Sequence, residues 1–328
     1  MSLVTGAGRA ARRRREIAPQ FGLLAVIVAL CVLFTLKQPG YISSFNLYAI
    51  GRSLAVDAVI GFSQMVVLAT GGMNLSVGSI GVCCVMFSGY MMQTLGLPAP
   101  VAFLLALALG GALGWLNGFT IVKSGVNSFI VTLASANLFS GAMLILTRAE
   151  PINGLPPAVS AIGSYRILGF ASPSLLAALF LGALLLVFYR YSVAGKEMLA
   201  AGANARAAAM SGIPVNRLIV RSHMLSGALA GVAGLMLVVR LGAAMPAVGG
   251  DDWLLPSFLG PILGGGALAG GSLSVIGTFL GAMLVTVIRS GLLVLGIGNF
   301  WLQLFLGLFL LAAVLAQRFG DIFRGRSR

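Results

Sequence analysis

Ten apolar runs follow one another along the chain, at residues 20–36, 53–70, 75–95, 101–122, 128–146, 173–189, 221–241, 253–269, 272–293 and 299–317. A helix rises about 1.5 Å per residue, so about 20 apolar residues cross roughly 30 Å of hydrocarbon. The pattern predicts an all-α polytopic membrane protein with about ten transmembrane helices. Glycines interrupt or bound the runs 75–95 and 253–269, and the second reads either as a full span or as a re-entrant piece.

One polar stretch stands apart from these runs. Residues 190–221 read RYSVAGKEMLAAGANARAAAMSGIPVNRLIVR, with five of the 21 basic residues, one acid, and a helix–Gly–helix pattern broken at Gly212-Ile213-Pro214. A structured basic element on a chain otherwise suited to hydrocarbon is a docking surface for a cytoplasmic partner. The competing reading is an amphipathic helix lying on the lipid surface.

Composition excludes a soluble protein. Hydrophobic residues make up 59% and charged residues only 9%, against roughly 25% charged in soluble domains. No separate soluble domain or long polar linker interrupts the runs. The net charge of +14 does not mark a nucleic-acid binder, because the basic residues sit at the borders of the apolar runs, where topology and anionic lipid account for them. With the N-terminus in the cytoplasm, ten crossings place 15 of the 21 Lys and Arg residues inside, including Arg12 to Arg15 and the four C-terminal arginines. Lys37, Arg52, Arg148, Arg166 and Arg240 fall outside, and Arg289 lies within the ninth run. This bias follows the positive-inside rule. It predicts cytoplasmic termini, with a basic tail at 1–19, a transmembrane domain at 20–318 and a second basic tail at 319–328.

Polar residues inside the runs are few. Asp57, Gly61 and Gln64 share one face of the second run, and Ser128, Thr132 and Ser135 one face of the fifth, with Asn137 nearby. Asn299, Gln303 and Gly307 share a face of the tenth. Intramembrane polar groups are costly and face a bundle interior or a water-filled cavity. Three such neutral faces suit a path for a polar, uncharged solute. Small residues four apart, at Gly110, Gly114 and Gly118, at Gly227 and Gly231, and at Gly277 and Gly281, read as helix-packing grooves. Cys31, Cys83 and Cys84 lack metal-ligand or disulfide spacing, and the single histidine, His223, reads as a packing or interfacial residue. No metal site or cofactor is expected. The only acid within a run is Asp57, thin equipment for an ion-coupled carrier, and no phosphate-binding loop of the form G-x-x-x-x-G-K-[ST] occurs. Any ATP hydrolysis must come from a separate subunit, and no catalytic constellation marks an enzyme.

The stretch Gly71-Gly72-Met73-Asn74-Leu75-Ser76-Val77-Gly78-Ser79 resembles the GG-I-D-L-S-V-G-S signature of permease subunits of bacterial binding-protein-dependent sugar ABC importers, the ribose, xylose, arabinose and galactose type. The similarity continues through Gly114-Trp115-Leu116-Asn117-Gly118, Asn127 to Leu133, Ala201 to Arg217, and Leu263 to Gly271, in order over residues 20–318. The resemblance implies a bacterial inner-membrane protein that forms the pathway with a second, identical or different, permease copy. A cytoplasmic ATP-binding subunit would drive it and a periplasmic solute-binding protein would deliver the solute. It assigns coupling to the ATPase to Lys196, Glu197, Ala201, Gly202, Asn204, Arg206, Ser211, Gly212 and Arg217, the small residues permitting close seating in an ATPase groove. Asn74 and Ser76 join Asp57, Gln64, Ser128, Thr132, Ser135, Asn299 and Gln303 as candidate path residues. The sequence departs from the family pattern at Asn74, where Asp is usual, at 251–256, where Pro256 is expected to bend or break the segment, and at Arg289, read as snorkelling to the outer interface. A nucleoside importer permease is the nearest alternative. A stand-alone carrier or channel leaves the 190–221 stretch unexplained, and a membrane enzyme lacks the clustered acids or histidines it would need.

Overall fold

The computed structural model describes residues 6–296 apart from 168, 170 and 248, together with 301, 303–308, 311 and 315. The regular secondary structure of the described residues is helical, with two isolated β-bridges. Twelve helices follow in order: α1 Gly6–Lys37, α2 Ser44–Ala69, α3 Val77–Gln93, α4 Ala99–Ser124, α5 Ser128–Thr147, α6 Pro157–Ser164, α7 Pro173–Tyr191, α8 Val193–Ala203, α9 Ala205–Met210, α10 Val215–Leu241, α11 Leu254–Leu263 and α12 Val275–Val294. Seven of them are long and apolar enough to cross a membrane: the Gln20–Lys37 part of α1, α2, α4, α5, α7, α10 and α12. The expected tenth run, 299–317, lies partly outside the described residues, and those that are described in it are helical.

The capping residues explain where the helices begin. Ser43 accepts the Asn46 amide, so α2 starts nine residues before the apolar run that announced it, and Arg52 falls inside the helix. Pro214 precedes α10, which starts at Val215 instead of at the apolar border near 221. Pro256 occupies the first turn of α11, where proline's missing N–H costs nothing; it does not break the segment as the sequence suggested.

Burial separates the helices into two layers. In α2, 89% of the membrane-length window is buried, against 11% in α1 and 17% in α7. Helix α2 is therefore the centre of the bundle, held between α10, α11 and α12, with α7 alongside. The other principal contact is α10 on α4, and α3 packs beside α10, α4 and α5. Helix α1 lies outside against α12, where Phe34 fills the gap left by Gly291 and the Tyr41 hydroxyl donates to the Val287 carbonyl.

Contacts define two ends. At one, the α8 end, the Ala69–Gly72 turn, α8 and the 269–271 loop meet. At the other, the α6 end, Ile152 pairs with Ala244 beside Gly89 of α3. Helix α10 finishes at the α6 end and α12 starts at the α8 end. The chain between them, including the short α11, connects the two ends of the bundle.

Candidate functional site

Between α2 and α3 the chain unwinds for seven residues, Thr70 to Ser76, which enter the bundle from its α8 end and are buried at Asn74 and Ser76. Gly71 takes a left-handed turn (φ 78°) that a side chain would strain. An unwound backbone in hydrocarbon must find partners within the protein. Helix α5 supplies two of them: the Ser128 hydroxyl accepts the Met73 amide at 3.0 Å, and the Thr132 hydroxyl accepts the Leu75 amide at 3.1 Å while donating to the Ser128 carbonyl. Asn74 and Ser76 are fully buried. The Asn74 carbonyl oxygen accepts both the amide and the hydroxyl of Ser76, its Nδ2 donates to Ser226 of α10, and Asn117 of α4 donates to the Ser76 hydroxyl at 2.7 Å. The Ser63 hydroxyl of α2 completes the set on the Ser226 hydroxyl and carbonyl. One polar knot thus ties together α2, α3, α4, α5 and α10.

A second polar group lies on the other side of α2. Asp57, 5% exposed, accepts from the Thr286 hydroxyl at 2.9 Å and pairs with Arg289 at 3.3 Å, both on α12. Arg289 is therefore an ion-pair partner, and the snorkelling role expected from its position gives way to this contact. Gln64, two turns along the same face, is fully buried, and its amide has no hydrogen-bond partner among the described residues. Leaving such a group unpaired costs about 1–3 kcal/mol. Ser135 is half-buried on α5 and Gln303 is exposed on the last helical stretch; Asn299 lies outside the described residues.

At the α8 end the 190–221 stretch folds as two short helices. Ser192 caps α8 through the Gly195 amide, and Asn204 caps α9 through the Ala207 amide. Gly212 ends the unit in a left-handed turn (φ 82°). Ala201 is buried and Gly202 presses on the bundle: a methyl group there would overlap the Ala69 carbonyl and lie 2.6 Å from the Gly271 amide. The small residue at 202 thus permits packing within this chain, where the sequence reading placed it against an ATPase. The 271 amide also donates to the Ala69 carbonyl. Helix α8 is in this way seated on the end of α2 and on the loop leading to α12. The opposite face is open, with Lys196, Asn204, Arg206, Ser211, Gly212 and Arg217 exposed, Glu197 half-buried and Met210 86% exposed.

Ser63, Ser226, Asn117 and Thr286 were not singled out as site residues by the sequence. Ser226 directly precedes Gly227 of the Gly227–Gly231 stripe, which reads as packing, and a lone Ser or Thr carries no signal until its partner helix is known. Asn117, an amide within an apolar run, was the one legible clue.

Residues 46–314 match the family described as branched-chain amino acid transport system / permease component. The chain is 31% identical to the ribose import permease protein of Bacillus subtilis (strain 168) over 93% of each chain. It is 31% identical to that of Escherichia coli (strain K12), over 97% of this chain and 99% of the relative. The autoinducer 2 import system permease protein of Salmonella typhimurium is 30% identical over 87% of each. No solved structure gives a significant match.

Proposed function

The chain belongs to the branched-chain amino acid transport system permease family, as a multi-pass membrane transport component and not an enzyme, and from that premise we propose that it is the pathway-forming subunit of an ABC importer for a monosaccharide or a related neutral polar solute. Ribose and autoinducer 2 import are the activities named for its relatives. Among the described residues the buried side-chain atoms without a partner are the Gln64 amide, Asn117 Oδ1, His223 Nε2 and Arg289 Nε; Gln64, the one whose whole amide is unpaired, is neutral and suits such a solute. Its partners are a cytoplasmic ATP-binding subunit, a periplasmic solute-binding protein and a second permease copy in the bacterial inner membrane.

The chain crosses ten times: the seven long helices, α3, the 243–274 segment with α11, and the 299–317 run. The α8 end, with Lys196, Arg206, Arg217 and Arg221, is cytoplasmic, as are the tails 1–19 and 319–328. Asp57, Gln64, Ser135, Asn299 and Gln303 belong to the solute path. Asn74, Ser76, Ser128 and Thr132 fix the unwound 70–76 segment beside it.

One observation carries the mechanism: α9 is exposed, while α8, which bears it, is wedged against the ends of α2 and the 269–271 loop. Displacement of α9 by a partner reaches the central helix and α12 directly. Two packings of the bundle then exchange as the ATPase halves close and open, which is alternating access. Lys196, Glu197, Asn204, Arg206, Ser211, Gly212 and Arg217 form the contact surface, and Ala201 and Gly202 the transmission.

The test is uptake of labelled pentoses, hexoses, polyols and nucleosides in cells lacking the chain, complemented with wild type or Arg206→Glu. Wild type restores one solute; Arg206→Glu reaches the membrane normally but fails to restore it. Full uptake by Arg206→Glu defeats the coupling assignment, and restoration of a nucleoside alone replaces the sugar.

A further inference from the structure

At the α6 end, away from the coupling end, three arginines converge on one cavity; Asp57 is close enough to attract Arg240, but it is engaged by Thr286 and Arg289. The cavity measures about 210 Å³ and is lined by Phe45, Tyr48 and Arg52 of α2, Ser164 at the end of α6, Arg166 just beyond it, and Arg240 from the last turn of α10. No acid lines it. The ion pair found among the described residues, Asp57–Arg289, leaves these three guanidiniums out.

Their positions are fixed without any anion. The Arg52 and Arg166 guanidiniums lie 5.4 Å and 4.9 Å from the centroid of the Tyr48 ring, and that ring is pinned by its own hydroxyl, which donates to the Gly163 carbonyl at 2.7 Å. Arg52 donates to the Arg240 carbonyl at 2.7 Å, and Arg240 to the Ser53 hydroxyl at 3.2 Å. Each guanidinium has five N–H donors. Arg52 and Arg240 use one apiece on these protein groups, and most of the rest remain for a ligand. Three like charges held together in a partly enclosed site repel one another unless an anion joins them.

We propose that this cavity binds a phosphate group. Planar guanidinium forks match phosphate oxygens in pairs, and the depth of the site fits the source best represented there, a phospholipid headgroup. The apolar run of α10, 221–241, rises about 30 Å, the thickness of the hydrocarbon, so Arg240 at its end stands at the border with the headgroups. Phe45, which lines the cavity, and Tyr165, between the lining residues Ser164 and Arg166, are exposed apolar surface, where acyl chains would lie. The inference stands independently of the transported solute.

Native mass spectrometry of the full-length chain in neutral detergent tests it, with phosphatidylglycerol, phosphatidylcholine and inorganic phosphate as probes. Wild type is expected to retain one phosphatidylglycerol, and Arg52→Gln and Arg166→Gln each to weaken that retention about tenfold, the worth of one lost charge-assisted hydrogen bond. Arg166→Lys should recover part of it. Displacement of the lipid by millimolar inorganic phosphate shows a phosphate site open to soluble anions; retention of the lipid against phosphate shows a headgroup site. Arg166 is exposed on a loop, so its Gln variant should elute as monodisperse protein and keep the comparison valid if Arg52→Gln misfolds. Equal lipid retention by wild type and the Arg166→Gln variant overturns the proposal. So does binding of a glutamate-rich peptide with no effect of lipid or phosphate, which would make the cavity a contact for an acidic protein.

Discussion

Asp57 and Arg289 stand 232 positions apart and meet only in the folded bundle. Each was visible in the sequence as a charge in an apolar run, but their pairing was not, because nothing local links α2 to α12. The pair has a measurable signature. Arg289→Met should destabilise the chain by about 3 kcal/mol, because it strands a buried carboxyl, whereas the double variant Asp57→Asn, Arg289→Met should regain most of that loss. Reversible unfolding in mixed SDS micelles reads both; a double variant as unstable as the single one would show that the charge pair is not the cause. The same logic separates the polar residues of α5. Their shared face was legible from spacing, but their partners, the amides of Met73 and Leu75, were not. Only the unwinding of 70–76 creates those unpaired donors.

At the scale of helices, glycine spacing was the better guide. Gly110, Gly114 and Gly118 of α4 do meet α10, where a methyl at Gly110 would sit 2.6 Å from the Gly227 carbonyl and one at Gly114 would overlap the carbonyl of His223. In α10, Gly234 abuts Gly81 of α3, and Gly277 and Gly281 of α12 admit Gly264 and Gly260. Small residues let backbones approach where lipid gives no hydrophobic drive for helix association. Gly114→Val should cost on the order of 3 kcal/mol through overpacking. Gly111→Val, whose nearest neighbour would be Met224 at 3.9 Å, should be close to neutral in the same SDS unfolding measurement. Equal losses at the two positions would contradict a specific α4–α10 seam. Helix lengths were less legible: α2 and α10 extend past their apolar runs because Ser43 and Pro214, not the hydrocarbon border, set their starts.

For the molecule as a whole, the two ends make opposite predictions for access. Ser160 on α6 and Ser211 after α9 are both exposed. In intact cells an impermeant maleimide should label Ser160→Cys and not Ser211→Cys; after lysis it should label both. The reverse pattern would invert the bundle and remove the ATPase contact from α9. Chain order and hydropathy by themselves determined that the protein is helical and membrane-spanning and that 190–221 stands out, because transfer of apolar side chains to hydrocarbon depends on composition alone and a helix satisfies its own backbone. The tertiary structure decided the rest: that α2 is central, that 243–274 connects the two ends of the bundle with only a short helix, that Gly202 serves the chain's own packing, and that three arginines from separate elements share one cavity. Those outcomes depend on which surfaces meet across long stretches of sequence, and contacts of that range leave no local pattern to read.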